Sequence, residues 1–152
     1  MAISTKSSLF AEKNHANFHG MQELYLGGTG MELTGCQSVS RLLETSCYLR
    51  FLSLPNCDIG DDEVSILALS IKSNKGQLPL ESLQLSFNNI THKGLEAVAN
   101  ALWGSQSLRE LKVDNNIIGD RGAHLAEAAQ IARNARGGSL AVLVGASGAR
   151  TA

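Results

Sequence analysis

Cysteine is scarce in this chain, and what there is does not pair by pattern. Three residues, Cys36, Cys47 and Cys57, stand without a CxxC spacing. An odd, sparse set argues against a disulfide framework and suggests a reducing compartment, with the cytoplasm as the expectation. Charge of one sign is also lacking: 13 Lys and Arg balance 14 Asp and Glu, for a formal net charge of −1. That balance gives no electrostatic reason to expect nucleic acid or an anionic membrane as a partner. No apolar run approaches the roughly 18 residues of a spanning helix. The first twenty residues, MAISTKSSLFAEKNHANFHG, lack the continuous apolar stretch of a secretory leader. At 152 residues, 43% hydrophobic and 18% charged, the chain fits one ordinary folded domain.

Catalytic and ligand-binding patterns are thin as well. The four histidines are scattered, and no nucleophile stands with a histidine and an acid at a known spacing. His15 and His19, four apart, find no third ligand nearby, so no metal role is assigned and no cofactor is expected. Gly30 and Gly35 have the spacing of a phosphate-binding loop, but Cys36 and Gln37 occupy the places of its lysine and hydroxyl residue. A dinucleotide fingerprint begun at Gly28 and Gly30 would need glycine where Leu33 stands. The cluster Gly27, Gly28, Gly30 therefore reads as a turn leaving a strand.

What the chain has in abundance is internal repetition. LESLQLSFNNITHKGLEAVANAL, from Leu80, and LRELKVDNNIIGDRGAHLAEAA, from Leu108, superpose at an offset of 28 residues (108 minus 80). Leu80, Leu83, Leu85, Asn88, Ile90 and Gly94 fall on Leu108, Leu111, Val113, Asn116, Ile118 and Gly122. Two earlier copies begin at Met21 and Leu49. In them Thr29 and Cys57 replace the asparagine, and Glu63 replaces the glycine, a change expected to loosen or reshape that turn. The segment Ser73–Pro79 carries the extra residues of the second copy.

The pattern LxxLxLxxNxI followed by a helical half resembles a leucine-rich repeat of the ribonuclease-inhibitor-like type. The resemblance implies an α/β fold: a right-handed, curved solenoid of about four repeats, with parallel strands on the concave face and helices on the convex face. Strands are expected near 23–26, 51–54, 82–85 and 110–113, and helices near 34–46, 61–73, 92–103 and 120–134. Asp61 or Asp62, Thr91 and Asp120 are expected to cap the last three helices. Ser139–Val144 is a candidate fifth strand. By this reading residues 1–20 form an N-terminal segment or cap, 21–134 the repeat domain, and 135–152 a degenerate cap or flexible tail.

Alternation along each strand divides the residues by face. Leucines point inward, and the asparagines Asn88 and Asn116 are expected to bridge turn backbone in successive repeats, since an amide both donates and accepts. Outward positions include Tyr25, Phe51, Ser53, Gln84, Ser86, Glu110, Lys112 and Asp114. Tyr25 and Phe51 are expected to be exposed aromatic anchors, with Phe51 alternatively covered by the N-terminal segment. Ser53, Gln84, Glu110, Lys112 and Asp114 complete the expected protein-binding set; Ser86 is placed on the open face. Trp103 is expected to pack between repeats, and the sequon Asn89-Ile90-Thr91 is read as accidental. What the resemblance implies is a non-enzymatic module that binds another protein of unknown identity, with self-association through the open solenoid ends a further option. It also implies two alternatives: regulation of a small GTPase, because the Ran GTPase-activating protein has similar long repeats, or a fragment of a longer repeat protein.

Overall fold

The computed structural model describes residues 20–145, apart from 75, 76 and 104. Five strands alternate with four helices: β1 (Glu23–Tyr25), α1 (Leu33–Thr45), β2 (Phe51–Ser53), α2 (Asp61–Ser73), β3 (Ser82–Gln84), α3 (His92–Leu102), β4 (Glu110–Lys112), α4 (Gly119–Asn134) and β5 (Ala141–Leu143). The strands form one parallel sheet in sequence order. Each of the first four strands and helices lies within a residue or so of its expected position, and the fifth strand forms inside Ser139–Val144. The expectations for residues 1–19, including His15 and His19, lie outside the described residues.

The leucine pattern builds the core directly. Leu52, Leu83 and Leu111 are paired neighbours in the sheet and each is buried. Leu54, Leu85 and Val113 form a second buried row, and Ile59, Ile90 and Ile118 close the turns. From the other side the helices contribute Cys36, Val39 and Leu43, then Val64, Leu67 and Ile71, then Leu95, Val98 and Leu102. A strand of three residues cannot bury its apolar side alone, so stability accrues through contacts between neighbouring repeats. Successive helices pack on one another along the array, and α4 also contacts β5. Leu69, on the far side of α2, is 63% exposed and takes no part.

The turns after β1 to β4 are each held by one side chain, which after β2, β3 and β4 reaches back a repeat. The amide of Asn88 donates to Leu54 O (2.8 Å) and Leu85 O (2.9 Å), and its oxygen accepts from the N–H groups of Cys57 (2.9 Å) and Ile59 (3.1 Å). Asn116 repeats the arrangement, donating to Leu85 O (2.8 Å) and Val113 O (3.0 Å) and accepting from Ile90 N–H (3.0 Å). The Cys57 thiol makes the equivalent contact with Leu26 O at 3.1 Å, and the Thr29 hydroxyl donates to the same carbonyl at 2.8 Å. These bonds satisfy backbone groups that the sharp turn would otherwise leave buried and unpaired.

The helix starts depart from expectation at two places, Asp61 and Asp120. Asp61 does not cap its own helix, whose N-cap is Gly60. Its carboxylate serves α3 in the next repeat, accepting from Thr91 N–H (2.8 Å), Thr91 Oγ1 (2.6 Å) and Gly94 N–H (3.0 Å). Of the two outcomes expected of Glu63, the turn is reshaped and not loosened: its carboxylate accepts from Gly60 N–H at 3.0 Å, the return half of a capping box. Asp120 lies inside the first turn of α4, whose N-cap position, Ile118, has no side chain able to cap. Thr91 does cap α3 as expected, accepting from Lys93 N–H at 3.2 Å. The glycine at 94 has a steric reason: a Cβ there would lie 2.5 Å from Asp61 Oδ1 and 2.7 Å from Val64 Cγ1.

Candidate functional site

The outward side chains of the sheet form three rows that cross the repeats. Register pairs Glu23, Phe51, Ser82, Glu110 and Ala141 in one row, and Tyr25, Ser53, Gln84, Lys112 and Leu143 in the next. Pro55, Ser86 and Asp114 lie just beyond the strand ends. All seven residues of the expected protein-binding set lie on this one side of the sheet or at its edge.

They do not contribute alike. Tyr25 is 58% exposed, whereas Phe51 is half-buried. The two rings meet diagonally, with centroids 4.8 Å apart and planes inclined at 33°, so they form one aromatic platform rather than two separate anchors. The phenol of Tyr25 donates to Glu23 at 3.2 Å, and partial desolvation, with that bond and the nearby carboxylate charge, holds its pKa above the ordinary value. Ser53 is only 4% exposed and donates to Gln84 Oε1 at 3.1 Å, so it fixes Gln84 instead of meeting a partner itself.

The same correction applies to Ser86, which is buried rather than open. Its hydroxyl donates to Asp114 Oδ1 at 2.5 Å, while Ser82 donates to Glu110 Oε2 at 2.9 Å. A small side chain between larger neighbours is covered by them even on the outer side of a sheet. The consequence is a ladder in which each serine holds the longer polar side chain of the following repeat. Lys112 completes it, with Nζ 3.5 Å from Glu110 Oε1. Arg50 and Glu81 form a second charged pair at the strand entrance, at 2.5 Å. Polar groups held in this way lose little conformational freedom when a partner arrives.

Chemistry of other kinds is sparse among the described residues. There is no group of three or more His, Cys, Asp or Glu able to hold a metal, and no helix long and apolar enough to cross a membrane. Cys36 and Cys57 are buried, and burial, reinforced by the charge of Glu63, pushes the Cys36 thiol up to about 11, far from a reactive thiolate. Trp103 stands half-exposed at the end of α3, with the Arg136 guanidinium 4.4 Å from its ring centroid, so it does link neighbouring repeats. Beneath the pair lies a cleft of about 30 Å³ lined by Leu95, Leu102, Ala126 and Ala129. In the sequon, Asn89 is exposed but bonded to Asp58, and the Thr91 hydroxyl is engaged by Asp61.

Sequence reasoning missed two residues. Asn74 donates to Leu43 O, Glu44 O and Ser46 O, closing the C-terminal end of α1 from the following repeat. The signal available was only an asparagine after an apolar helix. Phe87 was missed too: it is 57% exposed with φ +58°.

The comparisons agree with this architecture. The family model described as "Leucine Rich repeat" matches residues 78–99 and 104–124. Ribonuclease inhibitor from Sus scrofa is 31% identical over 105 residues, covering 69% of this chain and 23% of the inhibitor. A protein phosphatase 1 regulatory subunit 37 homolog from Caenorhabditis briggsae is 27% identical over 96 residues, covering 62% of this chain and 10% of that protein. The chain thus spans less than a quarter of the length of these relatives. Among solved structures, the leiomodin-1 actin-binding site 2 matches with a TM-score of 0.72 at 21% identity, over 97% of this chain and 82% of that one. The tropomodulin C-terminal domain of Caenorhabditis elegans matches with a TM-score of 0.70 at 19% identity, over 97% of this chain and 84% of that one. At such identities the likeness is one of fold.

Proposed function

For a chain built of leucine-rich repeats of the ribonuclease-inhibitor-like type, we propose a non-enzymatic role: it holds another protein against the strand face of a right-handed, curved solenoid. The strands form the concave side, residues 21–134 make up the repeat domain, and β5 caps it. The observation that carries this reading is the prefixed outer face of the sheet. An aromatic platform of Tyr25 and Phe51 lies at one end, and Gln84, Glu110, Lys112 and Asp114 are held in register across the rest. Such a surface offers apolar anchoring and oriented polar groups without a reactive centre. Relatives named as an inhibitor of ribonuclease and as a regulatory subunit of a phosphatase support a role exerted on another protein.

Affinity capture from cell extract tests the reading. The Tyr25→Ala/Phe51→Ala variant is expected to stay folded and to lose its partners, each truncation costing about 2 kcal/mol of binding. Lys93→Ala, on the exposed helix side, is expected to keep them. A double variant that retains every partner, with the lysine variant losing them, would place the binding surface on the helices instead.

A further inference from the structure

The outer face of the sheet is more acidic than the chain as a whole, whose charges balance. Glu23, Glu110 and Asp114 lie on it or at its edge, against one ammonium, that of Lys112. That ammonium stands 3.5 Å from Glu110, and the Arg50 guanidinium at the strand entrance is taken by Glu81. Glu23 has no such counter-charge among the described residues. Its hydrogen bond there comes from a neutral group, the phenol of Tyr25, at 3.2 Å.

This bond and the sheet register put the carboxylate at the aromatic platform itself. Glu23 is the direct neighbour of Phe51 across β1 and β2, and Tyr25 follows it on the same face of β1. The two rings stand 4.8 Å apart, inclined at 33°. A neighbour at that distance shields one face of a ring, and Tyr25 is still 58% exposed, so a π face stays open to solvent beside the charge. Donation of the phenol to a carboxylate moves electron density into the ring and deepens the negative potential of that face. An ionised carboxylate and an open π face attract the same kind of group, a cation. Among the described residues the cation seated over a ring is Arg136, on Trp103; the Tyr25–Phe51 pair holds none.

We propose that Tyr25, Phe51 and Glu23 form a receptor for a cationic side chain, so that the protein held on the strand face presents a basic segment to β1 and β2. The cation lies on the open ring face and pairs with Glu23, and the excess of carboxylates across the sheet favours further basic residues along the same segment. The same charges disfavour nucleic acid and anionic membranes as occupants. The inference rests on the strand-face reading and adds to it the charge of the partner.

Solution NMR of the full chain tests it with three synthetic peptides of equal length, in which alanine alternates with arginine, citrulline or glutamate. The arginine peptide is expected to shift the ring protons of Tyr25 and Phe51, and to bind more weakly as salt is raised. The neutral and acidic peptides are expected to leave both rings unmoved. Glu23→Gln, an isosteric change at an exposed position, is expected to weaken the arginine peptide about threefold. Tyr25→Ala/Phe51→Ala is expected to weaken it about tenfold, and Glu96→Gln, exposed on α3, to leave it unchanged. Unmoved rings with the arginine peptide, equal shifts with the citrulline peptide, or undiminished binding by Glu23→Gln would each overturn the proposal. Capture from extract separates it from the reading beneath it. If Tyr25→Ala/Phe51→Ala loses its partners and Glu23→Gln keeps all of them and the arginine peptide undiminished, the strand face holds protein without this cation and only the present inference fails. If the double variant keeps every partner while the arginine peptide still shifts the wild-type rings through Glu23, the receptor stands and the strand-face reading of capture fails.

Discussion

A single register position shows how residue chemistry scales with the job. Thr29, Cys57, Asn88 and Asn116 all lie at the same point of the turn, yet they satisfy different amounts of backbone. Cys57 supplies one thiol donor to Leu26 O, whereas Asn88 bonds the backbone of two repeats in both directions. Replacing Asn88 with alanine is therefore expected to cost about 1–3 kcal/mol, because several buried groups lose their partner at once. Ser86→Ala is expected to cost about 0.5–1.5 kcal/mol. That exceeds the loss expected of an exposed serine, since this hydroxyl is buried and holds Asp114. Urea denaturation midpoints check both values. An Asn88→Ala midpoint equal to that of wild type would remove Asn88 from its role as the bridge.

At the level of elements, the junction between α2 and α3 depends on one carboxylate. Burial alone would raise the Asp61 pKa. The bonds from the Thr91 hydroxyl and from the N–H groups of Thr91 and Gly94, with the nearby His92, outweigh it and hold the group below its ordinary value. A depressed folded pKa contributes stability that is present above the unfolded value of about 3.9 and is lost as pH falls through the folded one. Wild type should thus lose stability on acidification below about pH 4 more steeply than Asp61→Asn. Thermal melts from neutral pH downward measure this. Parallel curves would show that the carboxylate's charge is not what joins the two repeats.

Across the whole molecule, burial is uneven. Helix α3 buries Gly94, Leu95, Val98, Ala101 and Leu102, whereas α4 buries only Gly122 and Ala126. A repeat array is stabilised mainly through neighbour contacts, and among the described residues α4 packs against one helix, α3. Amide hydrogen exchange is expected to be faster in α4 and β5 than in α2 and α3, with Trp103 and Arg136 at the border of the weaker unit. Uniform protection from α2 to α4 would mean that the array opens as one unit.

Much of this protein was legible in its sequence. The 28-residue offset, the leucine alternation and the turn asparagines specify strands, helices and the bridging bonds, because each rests on local periodicity or on one residue's bonding capacity, and the parallel order followed from the resemblance to leucine-rich repeats. The set of outward residues was legible for the same reason. What tertiary structure alone decided is how those residues relate across repeats. Asp61 caps a helix other than its own, Ser53 and Ser86 are covered by longer neighbours, and Tyr25 and Phe51 merge into one platform. Which of the two outcomes Glu63 would have, a looser or a reshaped turn, was decided by its return bond to Gly60, which depends on the shape of the turn and not on residue type. Phe87 carries no signal in a pattern of apolar residues. Its positive φ, shared with Gly28, Asn56 and Asn115, is set by the stacking of turns rather than by the residue that adopts it.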